Sequence, residues 1–131
     1  MKKDKMNILV IDDDPDFLMQ QELILKQAGY CVDTAESAEM GEAKIRAGGM
    51  DMVVVDLMME RNDDGFRLCY IAKKLDKNRP VIMVTGVAEE TGIEFDAATK
   101  EERAWVKADA LLAKPVRPEQ LLEVVRRYLE K

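Results

Sequence analysis

Asp12 and Asp13 stand directly after the apolar run Ile8-Leu9-Val10-Ile11, Asp56 closes Met52-Val53-Val54-Val55, and Lys114-Pro115 closes Ala110-Leu111-Leu112-Ala113. Each island places charge at the carboxyl end of a predicted buried strand. In an open parallel α/β sheet those ends converge on one crevice, so side chains about a hundred residues apart in sequence can meet there. Three carboxylates and one ammonium in one pocket point to a divalent cation and a phosphoryl group. Adjacent carboxylates on a strand-to-helix turn repel one another, and leaving both ionised is costly unless a cation sits between them. Hard oxygen donors, few in number and open to water, suit Mg²⁺ better than a transition metal. Asp56 could complete that site and also act as nucleophile. Carboxylate is a weak nucleophile, but attack on phosphorus needs mainly alignment and charge neutralisation, which the metal and Lys114 would supply. Thr85, ending the fourth predicted strand, offers a hydroxyl to another phosphoryl oxygen, and the product would be an aspartyl phosphate on Asp56.

The elements that must position these groups are legible as an alternation. Apolar runs of strand length recur at 7–11, 30–35, 52–56, 80–85 and 110–113, separated by segments of helical character. Uninterrupted β-branched runs such as Val53-Val54-Val55 suit strands covered on both faces, as in parallel sheets. The expected fold class is therefore α/β, a three-layer sandwich. Asp14 as N-cap, Pro15 at the first helical position and Gly29 after the last turn bound a helix over 15–28. Ser37 caps a second helix that stops at Gly48-Gly49, a third spans 65–75, and Pro118 opens a last one with Leu121, Leu122, Val125 and Leu129 on its inward stripe. Thr99 followed by Glu101-Glu102-Arg103-Ala104-Trp105 reads as a capped amphipathic helix to 108, with 86–98 mostly loop. One domain over 1–131, without an output domain, is expected.

Composition narrows the function classes. The chain has 131 residues, 47% apolar and 35% charged, which is ordinary globular composition. Its net charge of −6 would repel a phosphate backbone, so direct nucleic-acid binding is disfavoured. No stretch approaches the roughly 20 apolar residues of a membrane span, and Met1-Lys2-Lys3-Asp4-Lys5 does not read as a signal peptide, so a cytoplasmic setting is expected. Cys31 and Cys69 lack zinc-site spacing, histidine is absent, and two reduced thiols are expected. Without histidine, carboxylate must carry any phosphate chemistry.

Taken together, Ile8-Leu9-Val10-Ile11-Asp12-Asp13-Asp14-Pro15, Val55-Asp56-Leu57-Met58-Met59, Val84-Thr85-Gly86 and Lys114-Pro115 resemble the receiver domain of two-component response regulators, in order and across essentially the whole chain. The resemblance implies the five-stranded doubly wound, flavodoxin-like sheet of order 2-1-3-4-5. It implies that Asp56 accepts a phosphoryl group from a phosphohistidine on a sensor histidine kinase or a histidine phosphotransfer protein. Asp13, Asp56 and the main-chain carbonyl of Met58 would ligate Mg²⁺, with Asp12 acting through a water, Lys114 bridging to the phosphoryl group and Thr85 turning inward to meet it. The 86–115 region would meet a downstream target or a second copy of the chain. The protein would be a signalling phosphoacceptor that catalyses only its own phosphorylation and dephosphorylation.

Several positions depart from the family pattern. Glu60 stands where a proline usually follows the loop's methionine, and Arg61-Asn62-Asp63-Asp64-Gly65 reaches its glycine about one residue late, so the 60–65 path is expected to differ. Leu111 replaces the aromatic switch residue, and any relay must use other side chains. Met58 and Val87 cannot hydrogen-bond a hydrolytic water, so slow self-dephosphorylation is expected. Read singly, each motif has a plainer meaning: Asp12-Asp13 a solvated turn, Asp56 and Lys114 a charge pair, Thr85 a strand residue, Lys73-Lys74 and Arg126-Arg127 solvated helix faces, Trp105 and methionines such as Met19, Met40, Met52 and Met83 packing residues. Two other functions fit parts of the pattern. A phosphorylation-independent adaptor would keep the fold, and a haloacid-dehalogenase-type aspartyl-phosphate phosphohydrolase would need Asp-x-Asp after strand one, where this chain has contiguous aspartates.

Overall fold

Alternate residues of the short apolar strands must be buried on opposite sides, and that requirement sets the architecture. The computed structural model describes residues 6–56, 64–85, 109–113 and 116–130. Strands β1 (Asn7–Ile11), β2 (Cys31–Ala35), β3 (Met52–Asp56), β4 (Val81–Thr85) and β5 (Ala110–Ala113) form one sheet of order β2-β1-β3-β4-β5, parallel throughout. Helices α1 (Pro15–Gln27), α2 (Ala38–Ala47), α3 (Asp64–Leu75) and α4 (Pro118–Leu129) cover it. Ile8 and Val10 join Leu18, Leu25, Leu121 and Val125 in one buried layer, beneath α1 and α4. Leu9 and Ile11 join Ile45, Leu68, Cys69 and Ala72 in the other, beneath α2 and α3. The period of two along each strand thus yields two cores, as a sheet buried on both faces requires.

Local signals place the helix ends. The Asp14 carboxylate accepts from the main-chain N–H groups of Asp16 and Phe17, and Ser37 Oγ accepts from Met40 N at 3.1 Å, which satisfies donors that a helix start leaves free. Ala28 is the residue that caps the end of α1, with Gly29 one position beyond at φ 101°. At the close of α2, Gly48 takes φ 78°, a region that disfavours side chains. Leu121 and Val125 of α4 are buried as expected, with Leu122 and Leu129 partly so. The 99–108 helix, the 86–98 loop and Trp105 fall outside the described residues.

The charged side chains are less uniform than simple solvated faces. Lys73 is not free in solvent: its Nζ donates to Asp109 Oδ2 at 3.0 Å and to the Arg79 carbonyl at 3.0 Å. Asp109 Oδ2 also accepts from Val81 N, and Tyr128 donates to the Asp109 carbonyl. One aspartate therefore ties the starts of β4 and β5 to α3 and α4. Met52 and Met83 are core residues, but Met19 and Met40 are exposed, contrary to the packing role expected of them. Met58 and Met59 lie outside the described residues. Neither cysteine forms a disulfide.

Tyr30, buried after α1, donates its hydroxyl to Glu130 just past α4. Burial first, then this hydrogen bond and the nearby carboxylate charge, pushes the phenol up to about 12. Because the folded value lies above the ordinary one of about 10, the stabilisation is complete below pH 10 and is lost as pH rises toward 12. Tyr30→Phe should flatten that alkaline loss in thermal melts between pH 9 and about 12. Equal slopes for wild type and variant would contradict the linkage.

Candidate functional site

The parallel register sets the acids level with one another. Ile11 pairs with Val55 across β1 and β3, so the residues that follow, Asp12 and Asp56, leave neighbouring strands at the same height. One carboxylate oxygen from each of Asp12, Asp13 and Asp56 lies within 4.8 Å of the other two. Asp12 is 0% and Asp56 2% exposed, whereas Asp13 faces solvent. Of the side chains predicted to form one site, the three carboxylates are thus together, two buried at the sheet and one open to water.

Asp12 is held in place from two sides. Its N–H donates to the Ala35 carbonyl of β2 at 3.1 Å, and its Oδ1 accepts from Asp14 N at 2.9 Å. Asp14 therefore does two jobs: its side chain starts α1 and its main chain orients the buried carboxylate. Sequence reading assigned it only the first, although an Asp two residues ahead of an N-cap is the ordinary signature of such a side-chain-to-backbone turn. Thr85 closes β4 and pairs with Ala113 of β5. Its side chain, Met58, Val87, Lys114 and the whole of the 57–63 loop fall outside the described residues, and so does the rest of the 86–115 region except 109–113. Leu111, on β5, is 37% exposed.

The donor set fits a hard divalent cation: three carboxylates, no sulfur, no imidazole, and one open side. Among the described residues this is the one such cluster of acidic or metal-ligating side chains. A cleft of about 300 Å³ lies elsewhere, against Asn7, Cys31, Asp33 and Gly48 to Met50 at the opposite ends of β1 and β2. Its size alone gives it no chemistry, and the acids lie at the other ends of the strands.

The profile of the response regulator receiver domain family matches residues 8–126. The chain belongs to that family. This receiver domain is 32% identical over 124 residues to the transcriptional regulatory protein GlrR of Escherichia coli, covering 95% of this chain and 26% of that protein. It is 31% identical over 128 residues to the DNA-binding dual master transcriptional regulator RpaA of Synechocystis, covering 95% of this chain and 49% of that protein. The receiver domain thus spans between a quarter and about half of the curated relatives it matches. Among solved structures it is similar to a CheY-like receiver domain of Methanospirillum hungatei, with TM-score 0.79, 32% identity and coverage of 96% and 94% of the two chains. It is also similar to the response regulator TrrA of Thermotoga maritima in complex with Mg²⁺-BeF, with TM-score 0.77, 27% identity and coverage of 95% and 99%. The predicted sheet order and the predicted class, a phosphoacceptor signalling domain of two-component systems, both stand. No helix among the described residues is long and apolar enough to cross a membrane.

Proposed function

We propose that this receiver domain accepts a phosphoryl group on Asp56 in a Mg²⁺-dependent transfer from a phosphohistidine on a sensor histidine kinase or a histidine phosphotransfer protein. The transfer breaks the donor's P–N bond, forms a P–O bond to an Asp56 oxygen and releases the imidazole. The single observation that carries this reading is the convergence of the Asp12, Asp13 and Asp56 carboxylates within 4.8 Å at the carboxyl ends of adjacent parallel strands. Asp13, Asp56 and the Met58 carbonyl would hold the ion and Asp12 would act through a water, the ion supplying charge neutralisation at the phosphoryl oxygens. Lys114 would pair with the phosphoryl group and Thr85 would hydrogen-bond it. In this reading the chain would catalyse only its own phosphorylation and dephosphorylation. The altered surface, centred on 86–115, would be read in the cytoplasm by a downstream protein or by a second copy of the chain.

Incubation with Mg²⁺ and acetyl phosphate, a small donor that needs no kinase, tests the reading by intact mass. Wild type should gain one phosphoryl group and Asp56→Ala none; EDTA should abolish the gain. Unmodified wild type would instead favour the adaptor, and turnover of small phosphomonoesters would favour a phosphohydrolase.

A further inference from the structure

We infer that Gly41 is a positioning residue of the acidic site, acting through Ile11; the inference rests on the Mg²⁺ reading above. Gly41 lies buried in the interior of α2, where glycine weakens a helix relative to alanine. Its backbone does not require glycine, since the positive-φ glycines among the described residues are Gly29, Gly48 and Gly49. Space requires it. A β-carbon at position 41 would stand 2.8 Å from Ile11 Cδ1, 3.0 Å from Cγ2 and 3.2 Å from Cγ1. Ordinary carbon contacts begin near 3.5 Å, so the tip atom Cδ1 must give by roughly 0.7 Å and Cγ2 and Cγ1 by a few tenths.

Little around the contact can yield. Ile11 is β-branched and stiff at χ1, and it is walled in by Ala35, Ile45 and Val55. Helix α2 is tied to β2, where Lys44 Nζ reaches Asp33 Oδ1 at 2.8 Å and the Thr34 carbonyl at 2.7 Å. It is tied to α3 by Arg67 and Glu42 at 2.8 Å, and Arg46, then Arg67, hold the Glu42 carboxyl below its ordinary range. The strain therefore reaches the end of β1. Ile11 immediately precedes Asp12, and its partner Val55 immediately precedes Asp56. Passing on even part of the roughly 0.7 Å needed at Cδ1 would bring the strand end close to the roughly 0.5 Å tolerance of a preorganised site. The large side chain on β1 and the bare backbone on α2 are thus a size-matched pair that sets the spacing of the two buried carboxylates.

Calorimetric titration of Mg²⁺ into wild type, Gly41→Ala, Ile11→Val and the double variant, with melts in EDTA, tests this. Gly41→Ala should weaken Mg²⁺ binding about tenfold, and Ile11→Val/Gly41→Ala should restore it to within about threefold of wild type. A Gly41→Ala protein that melts earlier in EDTA yet binds Mg²⁺ like wild type would reduce the contact to packing and overturn the inference. So would a double variant as weak as the single. If Gly41→Ala does not fold, the double variant must bind at least as well as Ile11→Val, and weaker binding overturns the pairing. Wild type that binds no Mg²⁺ removes the metal reading and this inference together, an outcome distinct from the others.

Discussion

Asp13→Asn should be harder to unfold than wild type in EDTA and nearly unresponsive to Mg²⁺. Carboxylate oxygens within 4.8 Å repel; at the effective dielectric of a protein surface each such pair costs on the order of 1–3 kcal/mol. Asp13 is exposed, so screening places the gain from neutralising it near the lower end, about 1 kcal/mol. The same change removes one of three anionic donors, and losing even ~1.4 kcal/mol of ion affinity is tenfold, so Mg²⁺ binding should weaken by about tenfold to a hundredfold. Wild type should melt higher with Mg²⁺ than in EDTA because the ion binds the folded state, and Asp13→Asn should lose most of that increment. The stability this site gives up without metal is the cost of gathering charge for use. Melts of both proteins with and without Mg²⁺ decide the matter: a variant less stable in EDTA, or one that keeps the full Mg²⁺ increment, would show that the acids are not arranged for an ion.

Gln21→Met should stabilise the fold by about 1–2 kcal/mol, raising the melting temperature by several degrees. Gln21 lies on the inward stripe of α1 with Leu18 and Leu25, 1% exposed. Its Oε1 accepts no hydrogen bond among the described residues. A buried amide oxygen left unpaired in an apolar layer costs about 1–3 kcal/mol, and methionine matches the shape of glutamine without the polar atoms. The site is untouched, so phosphoryl uptake on Asp56 should be unchanged. A lower melting temperature for Gln21→Met would mean that the amide has a partner in solution, most simply a buried water.

The five strands were readable because their signal is local. An apolar run such as Val53-Val54-Val55 bounded by charge reports both burial and a strand end, and Asp14-Pro15 and Ser37 start α1 and α2 by bonds to their own first turns. The acids could be assigned to one crevice on the same grounds, since a parallel sheet sends all strand ends the same way. Arg79 shows where such reading stops. Nothing in Asn78-Arg79-Pro80 distinguishes a solvated turn, yet its guanidinium is buried, donating to the Ala72 carbonyl of α3 and to Met50 Sδ. Lys73 was unreadable for the same reason, because its partners Asp109 and the Arg79 carbonyl are supplied by the fold and not by sequence spacing.

By itself, then, the amino-acid order determined the alternation of strands and helices, the ends at which charge would gather, and the chemistry those side chains allow. Only the packed molecule decided that Asp12, Asp13 and Asp56 close to within 4.8 Å, that Asp14 clasps Asp12, and that a β-carbon at Gly41 would stand 2.8 Å from Ile11 Cδ1. Strand and helix signals come from neighbours along the chain, whereas these distances come from how layers settle on one another, where a displacement below 1 Å changes which groups can share an ion.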